Sequence, residues 1–108
     1  MFRKQDPSTA RELLPGIVIE PLAWGERTSM AKFRLSKGTA LPLHSHPHEQ
    51  TGYMVSGHGI FLIGGKEIDA VPGDSWSIPG DVEHSVEVLE DTVIVEVFSP
   101  VREEYLPE

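Results

Sequence analysis

From Ile17 onward the chain is a succession of short stretches rich in β-branched and other apolar residues, each closed by turn-forming ones. The predicted strands are Ile17–Leu22, Thr28–Leu35, Leu41–His46, Gln50–Ser56, Ile60–Ile63, Glu67–Val71, Ser75–Ile78, Val82–Leu89 and Thr92–Phe98. The breaks carry Trp24-Gly25, Lys37-Gly38, Ser56-Gly57, Gly64-Gly65, Pro72-Gly73-Asp74, Pro79-Gly80-Asp81 and Glu90-Asp91. Glycine gives access to positive φ and proline fixes φ, so both mark turns. Gly64-Gly65 between two short stretches is a two-residue hairpin signal. Strands at a spacing of roughly ten residues, with no long helical period, predict an all-β sandwich or barrel.

The last strand alternates. Ile94, Glu96 and Phe98 share one face, and Val93, Val95 and Val97 share the other. Both faces are apolar, as expected for a strand packed on two sides, and Glu96 is the exception that needs a reason. Trp76 and Ile78 alternate with Ser75 and Ser77 and are expected in the core, whereas Trp24 is open to several roles. Residues 1–15 read as a lead-in segment and 16–108 as one barrel, whose charged tail Val101–Glu108 runs over the surface.

Composition narrows the function. A chain of 108 residues makes one domain with a modest core. Its net charge of −8 argues against nucleic acid and anionic membranes, which call for a basic surface. There is no cysteine, so disulfides and thiolate ligands are not available. No segment approaches the ~20 apolar residues of a membrane span, and no apolar run of signal-peptide length follows Met1–Gln5. The expectation is a soluble, cytoplasmic protein.

Chemistry concentrates in Leu43-His44-Ser45-His46-Pro47-His48-Glu49-Gln50. On a strand His44 and His46 face the same way, because the side-chain period is two. Paired neutral imidazoles suit zinc, iron, nickel, copper or manganese. Pro47 bends the chain before His48, so the direction of His48 is not legible. His58, in a tight turn between Gly57 and Gly59, reads as exposed and not a ligand. By itself His-x-His is also compatible with a metal-free polar loop.

The surroundings of that motif resemble the cupin superfamily. Gly38 is followed by five residues, His44-Ser45-His46, three more, Gln50, six more and Gly57, which matches the first cupin motif. Gly73 followed by five residues, Pro79 and then His84 matches the second. The resemblance implies a jelly-roll barrel holding one divalent transition metal (nickel, manganese, iron, zinc or cobalt) through His44, His46, Gln50 and His84. Three departures stand out: Gln50 replaces the usual Glu, Gly80 sits one place early, and Val88 stands where Asn is usual. Glu49 is the alternative carboxylate ligand, but strand alternation would then aim Gln50 away. A neutral ligand set leaves the ion's double charge uncompensated. It favours Lewis-acid chemistry on anionic substrates over oxygen chemistry.

His44–Gln50, Tyr53-Met54-Val55-Ser56-Gly57 and Val97–Leu106 further resemble the small pectin-degradation cupins that linearise 4,5-unsaturated galacturonate. That likeness implies a homodimeric, metal-dependent isomerase acting on a small anionic molecule. Glu96 would be its acid/base, in place of the family's Asp, with Phe98 beside it. By strand parity Met54 shares a face with Gln50 and is expected to line the substrate pocket, whereas Arg102 reads either as a clamp for a substrate carboxylate or as a solvated tail residue. The alternative for Glu96 is a rim carboxylate paired with Lys32 or Arg34. Two other functions use the same scaffold: an Fe(II)-dependent dioxygenase, and a non-catalytic sugar-binding protein.

Overall fold

The structure, a computed structural model, describes residues 1–108. After a short 3-10 turn at Pro7–Thr9 come eight strands: β1 Arg11–Leu14, β2 Ile17–Trp24, β3 Ser29–Leu35, β4 Ala40–His44, β5 Glu49–Ile63, β6 Lys66–Ala70, β7 Ser75–Ile78 and β8 His84–Ser99. A second 3-10 turn spans Glu103–Tyr105. All pairings are antiparallel. No helix is long and apolar enough to cross a membrane.

β5 and β8 organise the fold. They pair along their whole length, from Glu49↔Ser99 to Ile63↔His84. The first half of β5 and the second half of β8 carry β7 and the run β3-β2-β1 on their flanks. The other halves carry β6 and β4. Two sheets thus share two bent strands and close over one core.

Each of these long strands corresponds to two shorter ones expected from the sequence. Ser56-Gly57 reads as a break, yet it is an irregularity within β5, where the register shifts between Met54 and Gly59. Gly57 takes φ +98°, and a Cβ there would lie 2.2 Å from Thr92 Oγ1. The chain bends without leaving the ladder, as at a β-bulge. Likewise Glu90-Asp91 lies inside β8. β1, by contrast, lies in the lead-in segment and pairs with β2.

The core is made by the inward residues: Ile17, Ile19, Ala31, Phe33, Leu35, Met54, Phe61, Ala70, Val86, Val88, Ile94 and Phe98. Alternation along β3 (buried Ser29, Ala31, Phe33, Leu35) and along the second half of β8 (buried Thr92, Ile94, Glu96, Phe98) shows the period of two at work. Val88 is 2% exposed and fills the core where the motif has Asn. Ile78 is also fully buried, while Trp76 is partly buried and packs against the core.

Candidate metal centre

The histidines come from two strand ends and one loop. His44 closes β4, and His84 opens β8 directly opposite, in register. His46 lies two residues beyond β4, so strand parity does not place it as the sequence suggested. The chain turns after His44, and the His46 Nδ1–H donates to the His48 carbonyl at 3.0 Å. Gly80 permits that turn to pack closely, since a Cβ there would lie 2.4 Å from the Pro47 carbonyl oxygen. The outcome is convergence all the same. One nitrogen from each of His44, His46 and His84 lies within 4.8 Å of the others.

The other ring nitrogens settle the tautomers. His44 Nδ1 meets the Pro42 carbonyl at 2.7 Å and His84 Nδ1 the Val82 carbonyl at 2.9 Å. A backbone carbonyl only accepts, so each Nδ1 carries its proton and each Nε2 presents a lone pair. His46 Nε2 and His84 Nε2 are buried with no hydrogen-bond partner. Burial holds the His46 and His84 imidazoles below the ordinary histidine range, and the Arg102 guanidinium pushes both the same way. Both are therefore neutral, and orphaned lone pairs of this kind are costly unless something binds them.

Gln50 supplies a third orphan. It is 4% exposed on the inward face of β5, while neighbouring Glu49 is exposed to solvent. Its Nε2 donates to Glu96 Oε2 at 2.5 Å, which leaves Oε1 buried and unpartnered beside His46. The residues fit a divalent cation: three converging imidazole nitrogens and one amide oxygen, of which His46 Nε2, His84 Nε2 and Gln50 Oε1 are buried and bare of other partners.

Glu96 is 6% exposed and lies inward on β8, beside Gly52 of β5. It does not pair with Lys32 or Arg34. Lys32 reaches Glu20 instead, at 3.8 Å on the outer face. The partners of Glu96 are Gln50 and the Trp76 indole, whose Nε1 donates to the same Oε2 at 3.2 Å. Oε1 has no protein partner. Burial pushes the Glu96 carboxyl up to about 7, against the opposing pull of Trp76, Gln50 and Arg102. Gly52 makes the Trp76 contact possible, because a Cβ there would sit 2.3 Å from the indole.

His44, Gln50, His84, Glu96, Phe98 and Arg102 line one narrow space of about 40 Å³, with Phe33, Leu41, Phe61, Ile78 and Tyr105 among its walls. That is room for an ion and a water or two. Met54 is not part of it. Met54 is 0% exposed and belongs to the core, because the inward face of β5 passes from the site at Gln50 into the barrel interior by Met54. Phe98 plays both parts, core and wall. Arg102 is no solvated tail residue. Its side chain is 13% exposed, with the guanidinium 5.1 Å from the Phe98 ring centre and 4.3 Å from that of Tyr105, and its Nε donates to Glu104 at 2.6 Å. A roomier groove of about 760 Å³ runs along Lys37–Leu43 and Ser85–Leu89 and contains none of the histidines.

Sequence reasoning missed Tyr105 and the polar role of Trp76. Tyr105 packs edge-on against Phe33 and Phe98 and closes the space from the C-terminal side. It lies in a tail with no strand period, so no pattern marks it. His48 Nδ1 is also buried and unpartnered, but His48 is not one of the three converging histidines. His58 bonds Asp69 at 2.6 Å, outside the centre.

Comparison with known proteins adds three findings. The cupin domain family model matches residues 31–100. Acireductone dioxygenase from Bacillus cytotoxicus is 36% identical over 59 residues, 50% of this chain but 35% of that enzyme. The matched segment thus spans about a third of the length of such curated relatives. Among solved structures, KdgF from a Halomonas species has a TM-score of 0.86 and 27% identity, covering 90% of each chain. An RmlC-like cupin from Shewanella frigidimarina has a TM-score of 0.86 and 25% identity, covering 90% of this chain and 87% of its own.

Proposed function

Because the chain belongs to the cupin domain family and carries its three-histidine metal site, we propose that it is a metal-dependent isomerase that ketonises an unsaturated uronate or a related small sugar acid. The observation that carries this reading is the Glu96 carboxyl. It is buried beside the histidines with one oxygen held and the other free, and is pushed up to about 7.

An isomerisation neither adds nor removes atoms, so one group that takes a proton and returns it elsewhere on the same substrate is sufficient. A carboxyl titrating near neutral pH can do both. Gln50 and Trp76 hold Oε2 and so fix the direction of Oε1, the atom that handles the proton. Arg102 is placed to hold a substrate carboxylate by a charge-assisted bond. With about 40 Å³ available, a sugar acid would present its reacting edge to Glu96 and keep the rest of its ring in the mouth. A divalent ion held by His44, His46, Gln50 and His84 supplies Lewis acidity toward substrate oxygens. The likeness in fold to KdgF supports this reading.

The test is the loss of the conjugated double bond of 4,5-unsaturated galacturonate, measured against its spontaneous rate. Acceleration that disappears with a chelator and with Glu96→Gln is expected. No acceleration with any of several divalent metals would exclude this reaction.

A second reading, an Fe(II)-dependent dioxygenase, is supported by the acireductone dioxygenase relatives. Oxygen uptake by iron-loaded protein in the presence of an acireductone would favour it.

A further inference from the structure

We propose that Glu104 is a built-in competitor for the substrate-carboxylate position at Arg102: its side chain occupies the guanidinium until an incoming acid displaces it, and so sets how tightly the pocket binds acids. This rests on the anionic-substrate reading above.

The geometry separates a fixed partner from a movable one. The Arg102 guanidinium lies over both the Phe98 and the Tyr105 rings, which pack edge-on against each other, and its side chain is largely buried, so it has little freedom to turn. The backbone around it is pinned as well. Arg102 N–H donates to Ser29 Oγ at 3.0 Å, and the Arg11 guanidinium donates to the carbonyls of Glu104 and Leu106. The Glu104 side chain is 55% exposed, and its one hydrogen bond to another residue is the bond from Arg102 Nε. It can therefore swing into solvent with no movement of the main chain.

The same guanidinium lines the space that holds His44, Gln50, His84 and Glu96. A carboxylate entering that space meets a cation that already has a carboxylate on it. Exchange of one for the other keeps the buried cation neutralised throughout, and avoids the cost of an unpaired charge. It also means that any acid is bound net of the Glu104 contact. A neutral sugar does not compete for Arg102 and is indifferent to Glu104.

The test is calorimetric titration of D-galacturonate and D-galactose into zinc-loaded wild type, Glu104→Ala, Arg102→Gln and the double variant. D-galacturonate has no C4=C5 double bond, so binding is read without turnover. Glu104→Ala should bind galacturonate roughly fivefold tighter than wild type, the equivalent of about 1 kcal/mol for a part-exposed ion pair. The gain should vanish in the Arg102→Gln background, and galactose should bind equally to all four proteins. Four results would overturn the proposal: unchanged or weaker galacturonate binding by Glu104→Ala, an equal gain for galactose, a gain that survives loss of Arg102, or no galacturonate binding by any variant. Failure to turn over the unsaturated uronate would sink the isomerase reading and leave this binding result standing.

Discussion

Gln50 and Glu96 stand diagonally across the paired strands β5 and β8, two register positions apart, and one 2.5 Å hydrogen bond divides the amide between two tasks. Nε2 serves the carboxylate, and Oε1 is left for a cation. A glutamate at position 50 could not do both. Without metal, Gln50→Glu would oppose two carboxylates in a buried site, where one must stay protonated. The repulsion exists only when both are ionised, so the loss of stability should grow with pH. We expect a cost of about 1–3 kcal/mol at pH 8 and less at pH 5, read from thermal unfolding with chelator present.

The raised Glu96 carboxyl also makes a prediction for metal-free wild type. The folded protein keeps its proton up to about pH 7, whereas the unfolded chain releases it near 4.5. In that window the folded state binds more protons, so this group's contribution to stability is full below pH 4.5 and falls as pH rises to 7. The total change is about 3 kcal/mol. Neutral His46 and His84 act oppositely at the acid end, because the unfolded chain takes up their protons first. Subtracting the unfolding curve of Glu96→Gln from that of wild type isolates the Glu96 part, which should decline between pH 4.5 and 7. A flat difference would mean the carboxyl is not perturbed.

Trp76 donates to the charged form of Glu96 and so holds its affinity for protons down. Trp76→Phe keeps a ring against Phe61 and removes the donor. The Glu96 titration, followed by carbonyl NMR of metal-free protein, should move higher, and stability should fall by about 1 kcal/mol. Gly52→Ala should have the same effect on the titration by displacing the indole.

Metal should stabilise the fold, because only the folded chain brings the three Nε2 atoms together. At a free metal concentration one hundred times the dissociation constant the gain is about 2.7 kcal/mol. A rise in Tm reversed by chelator, and absent in His84→Ala, is the expected result. Equal response by His84→Ala would place the ion elsewhere.

Much of this was legible in the chain. The spacing of His44, His46, Gln50 and His84 identified residues that do converge or stand beside one another, because each sits at a strand end or one turn past it. Glu96 betrayed itself as the charged member of an apolar strand face. What escaped were features without a period. Tyr105 lies in an irregular tail, and its role depends on a chain reversal that no local pattern encodes. Trp76 carries an apolar signal that conceals its donor. Met54 shares a face with Gln50 but lies too far along β5 to reach the cavity. The turn signals at Ser56-Gly57 and Glu90-Asp91 were real, but they bend a strand where the sequence suggested an end.

β5 carries the buried amide of Gln50, the gap at Gly52 and the core residue Met54 on a single face, within five successive positions. Slipping that strand by one place would turn all three outward and bring Glu49, Thr51 and Tyr53 inward. A misthreaded molecule would lose the amide beside the histidines, the room for the indole that bonds Glu96, and its packing in one event. Correct folding and a competent site are thus verified by the same alignment, and a chain that passes as folded is already equipped to bind its ion.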